Sequence, residues 1–253
     1  MIIMNKTIET QLNHKTIRKF KNTPVSQDTL NTLLEVANRT ASSNGMQSFS
    51  IIRVTDPEKR QAIAKVCNQH YVEDAPELLI FIVDAYRNAK ISEEMGEDLN
   101  AKRDMDRFFQ GFTDGCIAAQ NIHVALESLG MGAVYLGSIL NDAAKIIEIL
   151  ELPKYTFPIL GTGFGYPDEI PTLKPRMDLP LKVFENKYVM QDSYLESIKD
   201  YDKEFETYFD LRVPDRPLDA FSSQVVRALS NPNSNRTRLL HIIRDQGFDF
   251  QLD

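Results

Sequence analysis

Cysteine is scarce in this sequence: Cys67 and Cys116 are the only two among 253 residues. Two isolated thiols exclude a disulfide framework and a CxxC motif, and they suit a reduced, cytosolic protein. Cys116 falls in an apolar helical stretch and reads as core. Long apolar runs are missing too, since no segment approaches the ~18 consecutive apolar residues of a membrane helix. The segment Met1-Ile2-Ile3-Met4-Asn5-Lys6 is too short in apolar residues for a secretory leader, so a soluble, cytoplasmic protein is expected. Positive charge is in deficit, with 29 Lys and Arg against 36 Asp and Glu and a net charge of -7. Such a surface repels duplex nucleic acid unless its cations are segregated. Anionic small molecules need only a local basic pocket. There is no HExxH, no P-loop and no GxSxG elbow. The four histidines, at 14, 70, 123 and 241, are scattered, and no metal site is expected. Gly161-Thr162-Gly163-Phe164-Gly165 starts like a dinucleotide fingerprint but fails at Tyr166 and opens no helix. Those glycines read instead as places of close backbone packing in or beside a strand.

What is present is an ordinary globular composition, 42% hydrophobic and 26% charged. At roughly 100–200 residues per domain, the length suits one large domain or two small ones. Residues 5–13 read as a short helix. Ser26 reads as an N-cap, followed by Leu30, Leu33, Leu34 and Ala37 at helical spacing. Residues 47–55 are rich in β-branched and aromatic types and predict a strand. Asp56-Pro57 opens a further helix. Leu78-Leu79-Ile80-Phe81-Ile82-Val83 predicts a buried strand. Residues 85–103 are charged and read as irregular. The longest helical pattern runs from Asp104 to Leu129, with Phe108, Phe112, Cys116, Ala119, Ile122 and Leu126 keeping roughly one face. Residues 132–136 and 156–166 read as strands and 141–150 as a helix. A proline-bearing loop follows, and then mainly helical segments at 192–209, 217–230 and 235–246. This tail is more polar than the body, and it reads as surface or as a wrap around a partner. The pattern predicts four or five strands interleaved with helices in a body of 1–190, and a helical extension of 191–253.

Three segments could carry chemistry. If His14-Lys15-Thr16-Ile17-Arg18 is extended, an imidazole, a hydroxyl and a guanidinium share one side. Those donors suit a phosphate, with Arg able to grip two oxygens. The same pattern also suits a solvated basic loop. Ser42-Ser43-Asn44 offers small polar groups between a helix and a strand, or a plain polar turn. In Lys174-Pro175-Arg176 the proline favours extended backbone at Lys174, so that both cations point one way, toward an anion or toward solvent.

Taken together with Gln47, Ser50-Ile51-Ile52-Arg53, Ala118-Ala119-Gln120-Asn121, Glu127-Ser128-Leu129-Gly130, Tyr135-Leu136-Gly137-Ser138 and Gly165-Tyr166-Pro167, these segments form an ordered pattern. It resembles the nitroreductase superfamily of FMN-dependent oxidoreductases, and within it the NADPH-preferring branch. The resemblance runs from about Thr7 to Gly247. It implies an α+β fold, a mostly antiparallel sheet flanked by helices, and an intertwined homodimer with two FMN molecules at the subunit interface. By the same resemblance, His14, Lys15, Thr16 and Arg18 surround the FMN phosphate and ribityl chain. Ser42, Ser43 and Gln69 approach the flavin from the other subunit or its edge. Tyr135, Leu136, Gly137 and Ser138 pass close to the isoalloxazine, and Lys174 and Arg176 reach the flavin and phosphate. Arg212 and Arg216 resemble the arginines that hold the 2'-phosphate of NADPH, although their interval differs and Pro214 and Pro217 intervene. Gly137-Ser138 stands where relatives often have two glycines.

The activity so implied is hydride transfer from NADPH to FMN and then two-electron reduction of a nitroaromatic, a quinone or free flavin, in ping-pong order. No catalytic side chain is required. The alternatives are a non-catalytic flavin-binding or redox-sensing protein on the same fold, and an interaction protein without a cofactor.

Overall fold

A computed structural model describes residues 4–250. Met1, Ile2 and Ile3 of the N-terminal segment, and residues 251–253, lie outside the described residues. By contacts the chain divides into two compact units, 1–170 with 233–253, and 171–232.

In the first unit the sequence patterns become elements close to where they are expected. Helix α1 is Lys6–Leu12, and α2 is Gln27–Asn38. Ser26 caps α2, its side chain accepting from Thr29 N, and Leu30, Leu33 and Ala37 are buried along one stripe. Strand β1 is Phe49–Arg53, α3 is Pro57–Cys67 with Asp56 as its cap, α4 is Tyr71–Asp74, and β2 is Glu77–Asp84.

Residues 85–94, expected to be irregular, form helix α5 (Ala85–Glu94). Only Ala85 and Ala89 are buried on it, so it carries too thin an apolar stripe to announce itself. Its support is polar: Asp84 caps it by accepting from Arg87 N, and Lys90 pairs with Glu93 one turn on.

Helix α6 is Met105–Ser128, β3 is Gly132–Leu136, α7 is Ala143–Ile149 and β4 is Thr156–Gly165. Among the described residues the sheet has four strands in the order β1-β2-β4-β3, every neighbouring pair antiparallel. All of β2 is buried, because both of its faces are covered. Leu79, Phe81 and Val83 face the cluster built around α6 and α2. Leu78, Ile80 and Ile82 face the one built on α3 and α7. This alternation is the period of two expected of a strand.

Two glycines are fixed by close approach. A methyl group on Gly132 would sit 2.3 Å from Ile17 Cγ1, and one on Gly165 would sit 2.6 Å from Pro76 Cγ. The first of these lets the segment after α1 lie flat on the edge of β3.

The tail departs from its surface reading at its end. A helix over residues 239–245 and the residues after it re-enter the first unit's core, where Ile243 and Phe248 are buried. The Phe248 ring meets that of Phe108 edge-on at 5.1 Å. Gln246 anchors the return, donating to the carbonyls of Pro153 and Thr156 at 3.0 Å each.

The second unit holds α8 (Tyr194–Ser197), α9 (Lys199–Phe205) and α10 (Phe221–Ser230), and α11 (Leu239–Asp245) follows in the first unit. The helix expected over 192–209 is thus broken at Ile198. Tyr201, Phe205 and Phe221 cluster, with centroids 5.4–6.3 Å apart. Asp202 accepts from the backbone and hydroxyl of Ser222, tying α9 to the start of α10.

Candidate functional site

The segment 14–18 is extended, as the sequence suggested. Ile17 N donates to Ala133 O at 2.9 Å, and Thr16 bridges Ala133 in parallel sense, so the arm extends the sheet past β3. Ile17 is buried under this arm, which places His14, Thr16 and Arg18 on its other side. At the far end the arm is held by residues after β4. Glu169 accepts from Arg18 N at 2.5 Å and from Lys19 N at 3.2 Å, and Asp168 N donates to Lys19 O. His14 Nδ1 lies 2.5 Å from Glu127 Oε1 on α6. Arg18 Nε is buried and has no hydrogen-bond partner among the described residues.

Beyond β3 the chain turns into a short 3-10 helix, Gly137–Asp142. Leu136 is buried, and Gly137 stands in open space, where a methyl group would meet nothing within 4 Å. Ser138 Oγ donates to Gln69 Oε1 at 2.8 Å, so two expected residues from distant segments do come together. Gln69 is presented just after the left-handed Asn68 (φ 52°) that ends α3. Arg236, which the sequence reading did not single out, donates from Nη1 to Gly137 O at 3.2 Å and to Asn141 Oδ1 at 3.4 Å. Nothing in its local sequence marks it, because the contact spans 99 residues.

Tyr135 donates to Gln120 Oε1 at 3.1 Å, and its ring stacks on His123 at 3.7 Å, 9° from parallel. Burial raises the Tyr135 phenol well above its ordinary value. His123 is itself buried, with Nε2 3.3 Å from Thr162 Oγ1. Burial, helped by the nearby His14, lowers its pKa to about 3. The sign follows directly. Below about pH 6.5 the unfolded chain binds a proton at this histidine that the folded chain does not. Stability from His123 is therefore full above that pH and is lost as pH falls toward 3. Urea denaturation at pH 4.5 and 7.5 checks this. The stability gap between the two should narrow in His123→Gln, and an unchanged gap would contradict the assignment.

Ser42 and Ser43 gather on Asp114 of α6, which the sequence reading missed. This carboxylate is 1% exposed. It accepts from Ser42 Oγ at 3.0 Å, from Ser43 Oγ at 2.8 Å and from Ser43 N at 3.0 Å. A single acid among the small residues Gly111, Gly115 and Ala118 of the helix was the available signal. Asp114 and Glu127 lie on one helix, and their spacing puts them about 20 Å apart. The serines therefore stand near the middle of α6 and the arm at its C-terminal end.

The other expected residues lie in the second unit. Lys174 Nζ sits 5.1 Å over the Phe205 ring. Arg176 Nη1 donates to the carbonyls of Lys174 and Pro175. Arg212 forks onto the buried Asp210, with Nε–Oδ1 at 2.9 Å and Nη2–Oδ2 at 2.7 Å. Arg216 pairs with Asp219 at 2.8 Å, and Arg227 takes that residue's other oxygen.

With this geometry in hand, relatives can be compared. Residues 12–166 match the Nitroreductase family, and residues 174–251 match the Nitroreductase family C-terminal domain. The chain belongs to the nitroreductase family. Among its nitroreductase relatives is the NADPH-flavin oxidoreductase of Vibrio harveyi, 36% identical over 96% of this chain and 98% of that one. The FMN reductase (NADPH) of Bacillus subtilis is 32% identical over 97% and 99%. Among solved structures, nitroreductase A of Vibrio parahaemolyticus superposes with a TM-score of 0.87, at 36% identity, over 98% of this chain and all of that one. The α+β nitroreductase fold expected from the sequence is thereby established.

Proposed function

We propose that this chain is an NADPH-dependent FMN oxidoreductase, working as a homodimer, that passes two electrons to a nitroaromatic, a quinone or free flavin. The observation that carries the reading is the arm. Arg18 keeps a buried guanidinium nitrogen without an acceptor, and Lys15 has no ion-pair partner among the described residues. A buried donor left unpaired is costly, and a phosphate oxygen relieves that cost. The open space at Gly137 fits a flat ring system brought up against backbone, since any side chain there would occupy that space. The activities for which the Vibrio harveyi and Bacillus subtilis relatives are named support the same cofactor and reductant.

When bound, FMN supplies the reversible two-electron chemistry that no side chain of this protein offers. The protein binds and orients. His14, Lys15, Thr16 and Arg18 hold the phosphate and ribityl chain. Tyr135, Leu136, Gly137 and Ser138 line the ring, with Ser138 fixed by Gln69. Lys174 and Arg176 supply positive charge that favours the reduced cofactor. Arg212, its guanidinium held rigid by Asp210, and Arg216 bind the 2'-phosphate of NADPH. In the dimer, two symmetry-related chains bring the arm of one and Ser42-Ser43 of the other to a single FMN.

If reductant and acceptor use one place in turn, steady-state rates give parallel double-reciprocal lines. Intersecting lines would remove the shared place. Arg212→Ala should raise the KM for NADPH at least tenfold more than that for NADH, since a charge-assisted phosphate contact contributes about 1.5–3 kcal/mol. An equal rise for both would take Arg212 out of the 2'-phosphate site.

A further inference from the structure

Glu127 is a carboxylate in an unfavourable place. It lies one residue from the end of α6, where the helix carries partial negative charge, and its side chain is only 12% exposed. An anion there is destabilised unless something compensates. Among the described residues its carboxylate takes one hydrogen bond, from His14 Nδ1 at 2.5 Å, across 113 residues of sequence. It also belongs to a polar stripe on an apolar helix. Gln120, His123 and Glu127 are spaced three and four apart and therefore share a face. Each meets something at the β3 edge. Gln120 takes the Tyr135 hydroxyl, His123 stacks on the Tyr135 ring, and Glu127 takes the arm.

We propose that Glu127 is a positioning residue that fixes the ring plane and tautomer of His14 toward the cofactor. A carboxylate accepts only, so Nδ1 is the protonated nitrogen of this pair. Nε2 is then a lone-pair acceptor, which suits a ribityl hydroxyl and not a phosphate oxygen, and it has no partner among the described residues. His14 is the first residue of the arm and is partly exposed, so without Glu127 its ring rotates freely. The arrangement is the one by which a second carboxylate or carbonyl sets the free nitrogen of a ligand-binding histidine. The inference rests on the reading that the 14–18 arm holds FMN.

Two measurements separate the inference from that reading. The first needs no cofactor. Long-range nitrogen–proton spectra of the His14 ring should show the Nδ1-protonated tautomer in the wild type. Glu127→Ala should shift His14 toward the Nε2-protonated form common in free imidazoles. Glu127→Gln keeps an accepting oxygen and should retain the wild-type signature. The second is a double-mutant cycle on FMN affinity, read by quenching of free FMN fluorescence. Glu127→Ala should weaken FMN binding about tenfold, in the range of a single oriented hydrogen bond. It should have no further effect in a His14→Ala background. An unchanged tautomer in Glu127→Ala, or equal losses in both backgrounds, would overturn the inference even if the wild type binds FMN. A wild type that binds no FMN would overturn the cofactor reading as well, whatever the tautomer shows. Circular dichroism of Glu127→Gln, the milder variant, confirms that α6 is intact.

Discussion

Replacing Arg18 with alanine is expected to weaken FMN retention about 10- to 150-fold, the equivalent of about 1.5–3 kcal/mol for a hydrogen bond to a charged group. The position supports a loss in the upper part of that range. Arg18 lies in an arm whose backbone is already fixed, by Glu169 at its own amide and by Ala133 at that of Ile17. Little ordering entropy is spent when an anion binds, so most of the contact appears as affinity. The buried Nε has no competing acceptor among the described residues, so no internal ion pair has to break first. Titration of cofactor-free protein with FMN measures the effect. Arg18→Lys should recover only part of it, because an ammonium cannot reproduce the planar fork. A variant with wild-type affinity would remove Arg18 from the phosphate site.

Asp114→Ala should be the most damaging single change to the fold near the site. The carboxylate is buried, and it gathers a backbone amide and two hydroxyls from Ser42 and Ser43. Its removal leaves those half-buried donors unpaired, at a cost of up to about 1–3 kcal/mol for each group. The losses are not additive, because the 42–43 turn can relax, and a total of about 3 kcal/mol is expected. Gln47 N leans on Ser42 Oγ, so the next turn loosens with it. Urea unfolding reads the stability. The functional consequence should follow the cofactor. If Ser42 and Ser43 reach FMN from one subunit while the arm reaches it from the other, Asp114→Ala lowers FMN affinity although it touches no arm residue. A variant as stable as the wild type would show that the serines do not depend on this carboxylate.

These two residues show what a sequence displays and what it conceals. The extended course of the arm around Arg18 was legible because its neighbours are legible. Alternation across five residues states which side faces out, and a cationic cluster in an acidic chain stands out by contrast. The same local logic exposed Ser26 as a cap, β2 as an apolar run and α6 as a long one-sided helix. Asp114 was concealed because its partners are 71 and 72 residues away, and an acid in a helix that also carries Asp106 and Glu127 looks solvated until the fold buries it. Glu127 and Arg236 were concealed for the same reason, at separations of 113 and 99 residues. Helix α5 failed differently. Its determinants are local, but they are a cap and an ion pair rather than an apolar period. The polarity of the tail was read correctly as an average and wrongly for its last residues, where Ile243, Gln246 and Phe248 are buried in the core.

Electron transfer from NADPH to FMN held by this chain is read most directly from an absorption spectrum. Purified protein should show flavin bands near about 370 and 450 nm. They should bleach on anaerobic addition of NADPH, and a nitroaromatic or quinone should then restore them. Bands that NADPH leaves unchanged, or no bands even after FMN is supplied, would contradict the account.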